Sequence, residues 1–367
     1  GWERPRWFAT DELEPHDYYS FRRAPWFDAV AGEVKAVRER AGIMDISAFA
    51  KIEVSGDDAD SFIDRLIPNR LPGERRIILT HFLNDSGRIE AEVTIARLGP
   101  NWLYLTCAAF FEQRVLDHLN FNLADGEQVE IHNVSSDYGA LALNGPRTRD
   151  ILGAVTDHPL DNKGFPWLTV RDITIAGHPV QAMRLSYAGE LGFELHMPMA
   201  HLKPVYDALS AAGAGHGLTD YGSFAMNAMR MEKMFKGAGE LTNEVNLPEA
   251  DVMRFVKLDK GEFKGRQATQ AALDAPPRWV CAYLEIDGDG EHDGHGGEAV
   301  LANGKHIGLT SSVAFGPGVD KLLAFGYIKP EFAEPGTGLE VVVMGTPRPA
   351  RVLAGAVYDP ANEKPRG

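Results

Sequence analysis

The apolar positions of the first 160 residues fall into short segments whose period changes repeatedly. Residues 30–40 predict a helix, Lys51-Ile52-Glu53-Val54 a strand, Gly56 a turn, and Phe62, Leu66 and Ile67 the inward face of a second helix. The same strand, glycine turn and helix recur at Ala140-Leu141-Ala142-Leu143, Gly145 and 146–155, where Pro146 suits a first helical turn and Ile151 and Leu152 face inward. Two such units point to an old internal duplication. Between them, alternation over 89–95 and the run 102–106 predict strands, and 112–119 a helix. Residues 167–197 read almost entirely as strand, with turns at Ala176-Gly177 and Ala188-Gly189-Glu190, and helices follow over 202–212 and 224–234. After the break at Ala275-Pro276-Pro277, short strands over 280–286, 299–301, 307–311, 322–327, 339–343 and 350–353 alternate with Gly-rich turns and predict a small all-β barrel. Helices and strands mix without strict alternation, which favours an α+β class over a doubly wound sheet. Residues 1–24 show no period and carry Trp2, Trp7, Tyr18, Tyr19 and Phe21 among Pro and Arg, the composition of an arm laid over a neighbouring surface.

Composition narrows the function classes. A chain of 367 residues is too long for one ordinary core and predicts several domains. With 44% hydrophobic and 24% charged residues, and no apolar run of about 18, a soluble protein is expected rather than a membrane-spanning or disordered one. A net charge of -15 opposes attraction to phosphate backbones and anionic lipid, so neither nucleic acid nor a membrane is an expected partner, and an anionic ligand would need a local basic patch. Cys107 and Cys281 lie far apart, lack a paired metal-binding spacing and need no disulfide. Trp2-Glu3-Arg4-Pro5 has no apolar run of the secretory kind, so a cytoplasmic or organelle-matrix location is expected. Because residue 1 is Gly rather than Met, a processed chain or part of a longer polypeptide is also expected.

The segment Tyr187-Ala188-Gly189-Glu190-Leu191-Gly192-Phe193-Glu194 resembles the Tyr-x-Gly-Glu-x-Gly-(aromatic)-Glu signature of the glycine-cleavage T-protein family. Further similarities run in order along the chain. They comprise Gly42-Ile43-Met44-Asp45-Ile46-Ser47 with Gly56 and Ala59, then Met229-Arg230-Met231-Glu232-Lys233, then Phe263-Lys264-Gly265-Arg266, and finally Gly304 with Ile307-Gly308-Leu309-Thr310-Ser311. Gly1-Trp2-Glu3-Arg4-Pro5 and Tyr19-Ser20-Phe21-Arg22-Arg23 resemble the junction at which sarcosine and dimethylglycine dehydrogenases pass from an FAD domain into a folate domain. The resemblance implies a three-lobed folate-binding fold, with an arm over 1–24, a folate-binding region of two α+β lobes over 25–272 and the barrel over 276–362. It implies tetrahydrofolate as cofactor and a methylated amine as carbon donor. FAD would sit only on a partner domain or subunit, since no Gly-x-Gly-x-x-Gly fingerprint follows a strand near either end. The implied location is the cytoplasm, or the mitochondrial matrix in a eukaryote.

The chemistry of the signature can be stated on its own. A pterin presents an exocyclic amine beside a ring N–H, and one carboxylate accepts both in parallel. The resemblance gives that role to Glu194, and places the ring or hydroxyl of Tyr187 beside the pterin. Leu83-Asn84-Asp85-Ser86-Gly87-Arg88-Ile89-Glu90-Ala91-Glu92 resembles the family's Asn-x-x-Gly-Gly-Ile-x-Asp-Asp strand and puts Glu92 at the catalytic acid, with Glu90 on the same strand face as the fallback. Such a carboxylate would orient the folate amine and accept its proton. This chain departs from the T-protein pattern in four places. Glu stands for Asp at position 92, Ala91 replaces the preceding Asp, Met226 stands at an arginine position and Leu79 at a tyrosine position. The changes at 226 and 79 favour the dehydrogenase-linked branch over aminomethyl-lipoyl chemistry, while those at 91 and 92 make a role for Glu92 rest on local flexibility. Arg230 and Glu232 are expected to form a structural ion pair, and His292-Asp293-Gly294-His295 to lie in a surface turn rather than hold a metal. The expected function is capture of a methylene unit from an oxidised N-methyl amine as 5,10-methylenetetrahydrofolate. The alternatives are a stand-alone folate-dependent methyltransferase or demethylase, and a folate-binding module without catalysis.

Overall fold

Both strand–turn–helix units form, and each turns on a glycine that nothing else could replace. The computed structural model describes residues 2–10, 14–17 and 22–367, so Gly1, Tyr18, Tyr19, Ser20 and Phe21 of the arm and junction motifs lie outside the described residues. Gly56 has φ +115°, and a Cβ there would meet the Gln128 carbonyl at 2.3 Å; Gly145 has φ +122°, and a Cβ would meet the Arg40 carbonyl at 2.6 Å. A side chain is excluded at both by backbone conformation and by space.

In chain order, α1 (Phe27–Glu39), β1 (Ala41–Asp45), β2 (Ala50–Ser55), α2 (Ala59–Asp64), β3 (Ile77–Leu83), β4 (Ile89–Gly99), β5 (Trp102–Cys107), α3 (Glu112–Asn122) and β6 (Glu130–Asn133) come first. Then follow β7 (Tyr138–Asn144), α4 (Thr148–Gly153), β8 (Val170–Ile175), β9 (His178–Met183), β10 (Gly192–Pro198), α5 (Met199–Gly213), β11 (Leu218–Asp220), α6 (Ser223–Glu232) and α7 (Arg266–Leu273). The last strands are β12 (Val280–Ile286), β13 (Ala299–Ala302), β14 (Lys305–Gly316), β15 (Lys321–Ile328), β16 (Gly338–Val343) and β17 (Thr346–Val352). The helix expected to carry Leu66 and Ile67 stops at Asp64, because Pro68 disfavours helical backbone before it; both side chains are buried all the same.

The strands form three sheets. One is five-stranded, ordered β3-β4-β5-β2-β6; one is six-stranded, ordered β11-β1-β7-β10-β9-β8; and β12-β15-β14-β13-β16-β17 close into a barrel. The class is α+β with a closed C-terminal β-barrel. Along β4 the period is two: Ile89, Ala91, Val93 and Ile95 are buried, while Glu90, Glu92 and Thr94 take the opposite face. Beneath the five-stranded sheet, Phe62, Ile63, Val115 and Leu119 pack on those apolar positions. Ile151, Leu152, Val205 and Leu209 do the same for Phe193, Leu195 and Met197 of β10. A third cluster, with Ile77, Leu98 and Tyr104 of one sheet against Val170 and Met183 of the other, joins the two sheets directly. Pro5 to Phe8 of the arm lie on α1 and the start of α6: the Pro5 and Arg6 carbonyls accept the N–H groups of Ser223 and Phe224, and the Phe8 N–H donates to Glu33. Among the described residues no helix is long and apolar enough to cross a membrane.

One half-buried imidazole makes this packing sensitive to acid. His118 of α3 lies on the Phe82 ring at 4.8 Å, and burial pushes it down from its ordinary 6.5 to about 4. An unfolded chain takes up a proton near pH 6.5, whereas the folded imidazole stays neutral until about pH 4. The stability contribution is therefore complete above pH 6.5 and is lost as pH falls through this window. Unfolding free energies from urea titrations at pH 7 and pH 4.5 should differ by an amount on the order of 2 kcal/mol through this residue, and His118→Leu should remove that share of the difference.

Candidate functional site

Strands β1, β3, β4, β5, β7 and β10 of the two sheets, with the segments between them, α6 and the C-terminal tail, line a cavity of about 550 Å³. That volume falls within the roughly 300–1,000 Å³ of small-molecule sites. Glu92, Tyr187 and Glu194 all line it, although they come from three separate stretches of chain. Met226 and Leu79, the two apolar departures, line it as well, as does Arg230. Glu90 does not: Asn84 donates to its carboxylate at 2.8 Å and Arg114 lies at 3.9 Å, so it is engaged outside the cavity.

Glu194 reaches the cavity because β10 alternates. Phe193, Leu195 and Met197 anchor one face in the core, and Glu194 and His196 project from the other. Its partners in register are Ala142 on β7 and Met183 on β9, and the small Ala142 leaves room beside the carboxylate. His196 is buried, with Nε2 3.6 Å from Glu194 Oε2 and Nδ1 3.0 Å from Tyr104 Oη. Burial lowers its pKa, against the pull of Glu194, and so favours a neutral imidazole. Tyr104 belongs to β5, so this contact ties the carboxylate's support to the other sheet.

Tyr187 lies in the irregular stretch before β10. Its hydroxyl donates to the Lys236 carbonyl at 2.8 Å, and its ring stacks on Phe235 at 6.0 Å with an interplanar angle of 19°. Burial raises the phenol far above its ordinary range, so the residue offers the cavity ring surface rather than a labile proton. The rest of the signature is structural. Gly189 has φ +80°, and a Cβ there would lie 2.2 Å from Lys233 Cγ. Glu190, 2% exposed, pairs with Arg38 at 3.1 Å and accepts a bond from the Tyr358 hydroxyl.

Arg230 and Glu232 do not pair with each other. Two residues apart on a helix they face different sides. Arg230 pairs with Glu240 at 2.9 Å and bonds Ser312 Oγ at 3.0 Å, and the Ser311 and Ser312 hydroxyls donate to Glu240 at 2.7 and 2.6 Å, which links α6 to barrel strand β14. Glu232 pairs instead with Arg38 at 2.6 Å and accepts the Gly318 N–H at 2.7 Å. In the 287–297 turn, His292 bonds Asp289 at 2.8 Å and Asp293 pairs with Arg23 at 3.2 Å, so these side chains are engaged with the protein. Cys107 and Cys281 are both buried free thiols.

Several residues of the site escaped the sequence reading. His81 stands directly opposite Glu92 in the β3–β4 register, with Nε2 3.5 Å from Glu92 Oε1. Asn144 lines the cavity, donating to the Tyr221 hydroxyl and accepting from Ser186, each at 2.8 Å. Arg4, Lys236 and Arg254 supply positive charge around the cavity of an otherwise acidic chain. The one signal available for His81 was a histidine inside the apolar run Ile77-Ile78-Leu79-Thr80-His81-Phe82-Leu83.

Comparison with known proteins agrees with this architecture. Residues 1–260 match the GCVT N-terminal domain, and residues 280–359 match the glycine cleavage T-protein C-terminal barrel domain. Human mitochondrial dimethylglycine dehydrogenase is 34% identical over 358 residues, covering 96% of this chain and 41% of its own length. Mouse mitochondrial sarcosine dehydrogenase is 32% identical over 420 residues, covering 100% of this chain and 45% of its own. The chain thus spans less than half the length of these relatives. The glycine cleavage system aminomethyltransferase T of Bartonella henselae has the same fold, with a TM-score of 0.82 at 22% identity over 90% of both chains. The chain belongs to the glycine-cleavage T-protein family.

Proposed function

We propose that the cavity binds tetrahydrofolate and that the chain transfers to it a one-carbon unit from an oxidised N-methyl amine of the sarcosine or dimethylglycine type, giving 5,10-methylenetetrahydrofolate. The reading is supported most by one observation: Glu92, Tyr187 and Glu194, drawn from distant parts of the sequence, line a single cavity of about 550 Å³. The names and coverage of the relatives favour the dehydrogenase-linked donor, and the FAD-dependent oxidation of the amine would then belong to a domain or subunit outside these residues.

The residues present suit such a ligand. A carboxylate on a rigid strand, a half-enclosed aromatic ring and an apolar surround match the amide-like edge and flat faces of a reduced pterin. When bound, tetrahydrofolate supplies a nucleophilic amine nitrogen that accepts the carbon. Glu194 would hold the amino edge, Tyr187 would give the ring a surface, and Glu92 would orient the amine and take its proton. Met226 and Leu79 would keep the donor side apolar and limit water, which otherwise diverts an iminium carbon to formaldehyde.

Calorimetric titration should find one saturable tetrahydrofolate site per chain, and a flat titration would end the proposal. With an FAD-dependent dimethylglycine dehydrogenase as iminium source, Glu92→Gln should slow formation of 5,10-methylenetetrahydrofolate by about 10²–10³-fold with little change in affinity. Unchanged transfer would reduce the chain to a binding module.

A further inference from the structure

We propose that His81 is a positioning residue for Glu92: its imidazole donates an Nε2–H to the carboxylate and fixes it in the cavity. The inference rests on the catalytic reading of Glu92 given above.

The two residues face each other across β3 and β4. With a period of two, Leu79 shares the face of His81 as Thr94 shares that of Glu92, and Leu79, Glu92 and Thr94 all line the cavity. His81 therefore lies on the cavity face of the sheet, beside Glu92 on the neighbouring strand. Its side chain is fully buried, and among the described residues neither ring nitrogen has a hydrogen-bond partner. Buried polar nitrogens are almost always bonded, so an imidazole orphaned at both nitrogens calls for an explanation. The Glu92 carboxylate supplies one: Oε1 is 3.5 Å from Nε2, and among the described residues no donor holds this carboxylate at hydrogen-bond distance.

Each group lacks what the other provides. A glutamate reaches its carboxylate through three rotatable bonds, and a group that must meet a reacting nitrogen has to be held to within about half an ångström. A torsional adjustment of Glu92 brings 3.5 Å to an ordinary N–H···O length near 2.9 Å, and catalytic hydrogen bonds commonly tighten in this way only when the site fills. The Phe255 ring, 5.9 Å from the imidazole, packs beside it and also lines the cavity, so the imidazole is held in an apolar setting that strengthens a bond to a carboxylate. His196 stands in a similar relation to Glu194, but it has Tyr104 as a second partner. Among the described residues, His81 has Glu92 alone.

The test uses the whole chain and four variants: Glu92→Gln, His81→Leu, His81→Gln and the double variant Glu92→Gln/His81→Leu. Nitrogen-15 spectra of the free natural chain should show hydrogen on His81 Nε2, and its resonance should move in Glu92→Gln. His81→Leu should bind tetrahydrofolate within about threefold of the natural chain yet lose about 10–100-fold in kcat, the scale expected for a misplaced catalytic group. His81→Gln, whose amide N–H also reaches across the strand pair, should recover most of that loss. The double variant should be no slower than Glu92→Gln alone, because both act through one carboxylate. If Glu92→Gln loses transfer and His81→Leu does not, the inference about His81 falls and the role of Glu92 stands. If Glu92→Gln transfers at the natural rate, the catalytic reading falls and takes this inference with it. Should His81→Leu fail to fold, the spectrum of the natural chain decides: hydrogen on Nδ1, with no response to Glu92→Gln, overturns the proposal.

Discussion

Glu194→Ala is expected to weaken tetrahydrofolate binding by about 10²–10⁴-fold while leaving the melting temperature within a few degrees of the natural chain. A hydrogen bond to a charged acceptor contributes roughly 1.5–3 kcal/mol, and one carboxylate that accepts two N–H groups of a pterin edge makes two of them. The alanine would leave those ligand donors facing an apolar wall. The fold should notice little, because β10 is anchored by Phe193, Leu195 and Met197 on its other face, and His196 keeps its bond to Tyr104. Side-by-side calorimetric titrations measure the effect. Equal affinities would remove Glu194 from the site and leave the cavity without its principal anchor.

The largest effect on stability is expected at Arg38, which does not itself line the cavity. Its guanidinium donates to Glu232 at 2.6 Å, to Glu190 at 3.1 Å and to the Ala188 carbonyl at 2.8 Å, and it lies 3.7 Å from the centre of the Tyr358 ring. Arg38→Ala would strand two buried carboxylates beside each other, a change that costs about 3–5 kcal/mol. Burial already raises the pKa of Glu232, and Arg38 and the Gly318 N–H oppose that rise. Without Arg38 the folded carboxyl would move further up, above its unfolded value. The folded chain would then take up the proton first, so the penalty is full at high pH and is relieved as pH falls through the folded value. Urea midpoints at pH 8 and pH 5 should show the gap between variant and natural chain shrinking at pH 5. A gap that is small at both pH values would mean that the three charges are worth little to one another.

The parts of this protein that were legible in the sequence are those with a local cause. Alternation along β4 predicted that strand and put Glu90 and Glu92 on one face of it, and the stretch that holds β10 also read as strand. The run of short strands after Pro277 predicted the barrel. Strands β1, β3, β6 and β11 were not foreseen. Of these, β3 is a nearly continuous apolar run without a period, and β11 is three residues long and held by parallel pairing to β1, a contact nearly 180 positions away in sequence. The ion pairs failed for a related reason. Arg230 and Glu232 are neighbours in sequence, which suggested a pair, but the helix turns them apart and each finds a charge from elsewhere, Glu240 and Arg38. His81 could not be recognised before the β3–β4 register was known, since its place opposite Glu92 is a property of the pairing and not of either strand. The motif glycines carried the opposite difficulty: their signal was strong, but at Gly189 it reports the path of the Lys233 stem and not contact with a ligand.

The cavity wall takes residues from Arg4 in the arm to Pro365 in the tail, with both sheets and α6 between them. No one element owns the site, so an unfolded or partly assembled chain has no fraction of it to offer. Any small molecule that occupies it acts by mass action as a cohesive agent for the whole polypeptide, adding about 2.7 kcal/mol when its free concentration reaches a hundred times its dissociation constant. Resistance to heat would then track the supply of ligand in the surroundings, and the lifetime of the protein would be coupled to the abundance of the compound it handles.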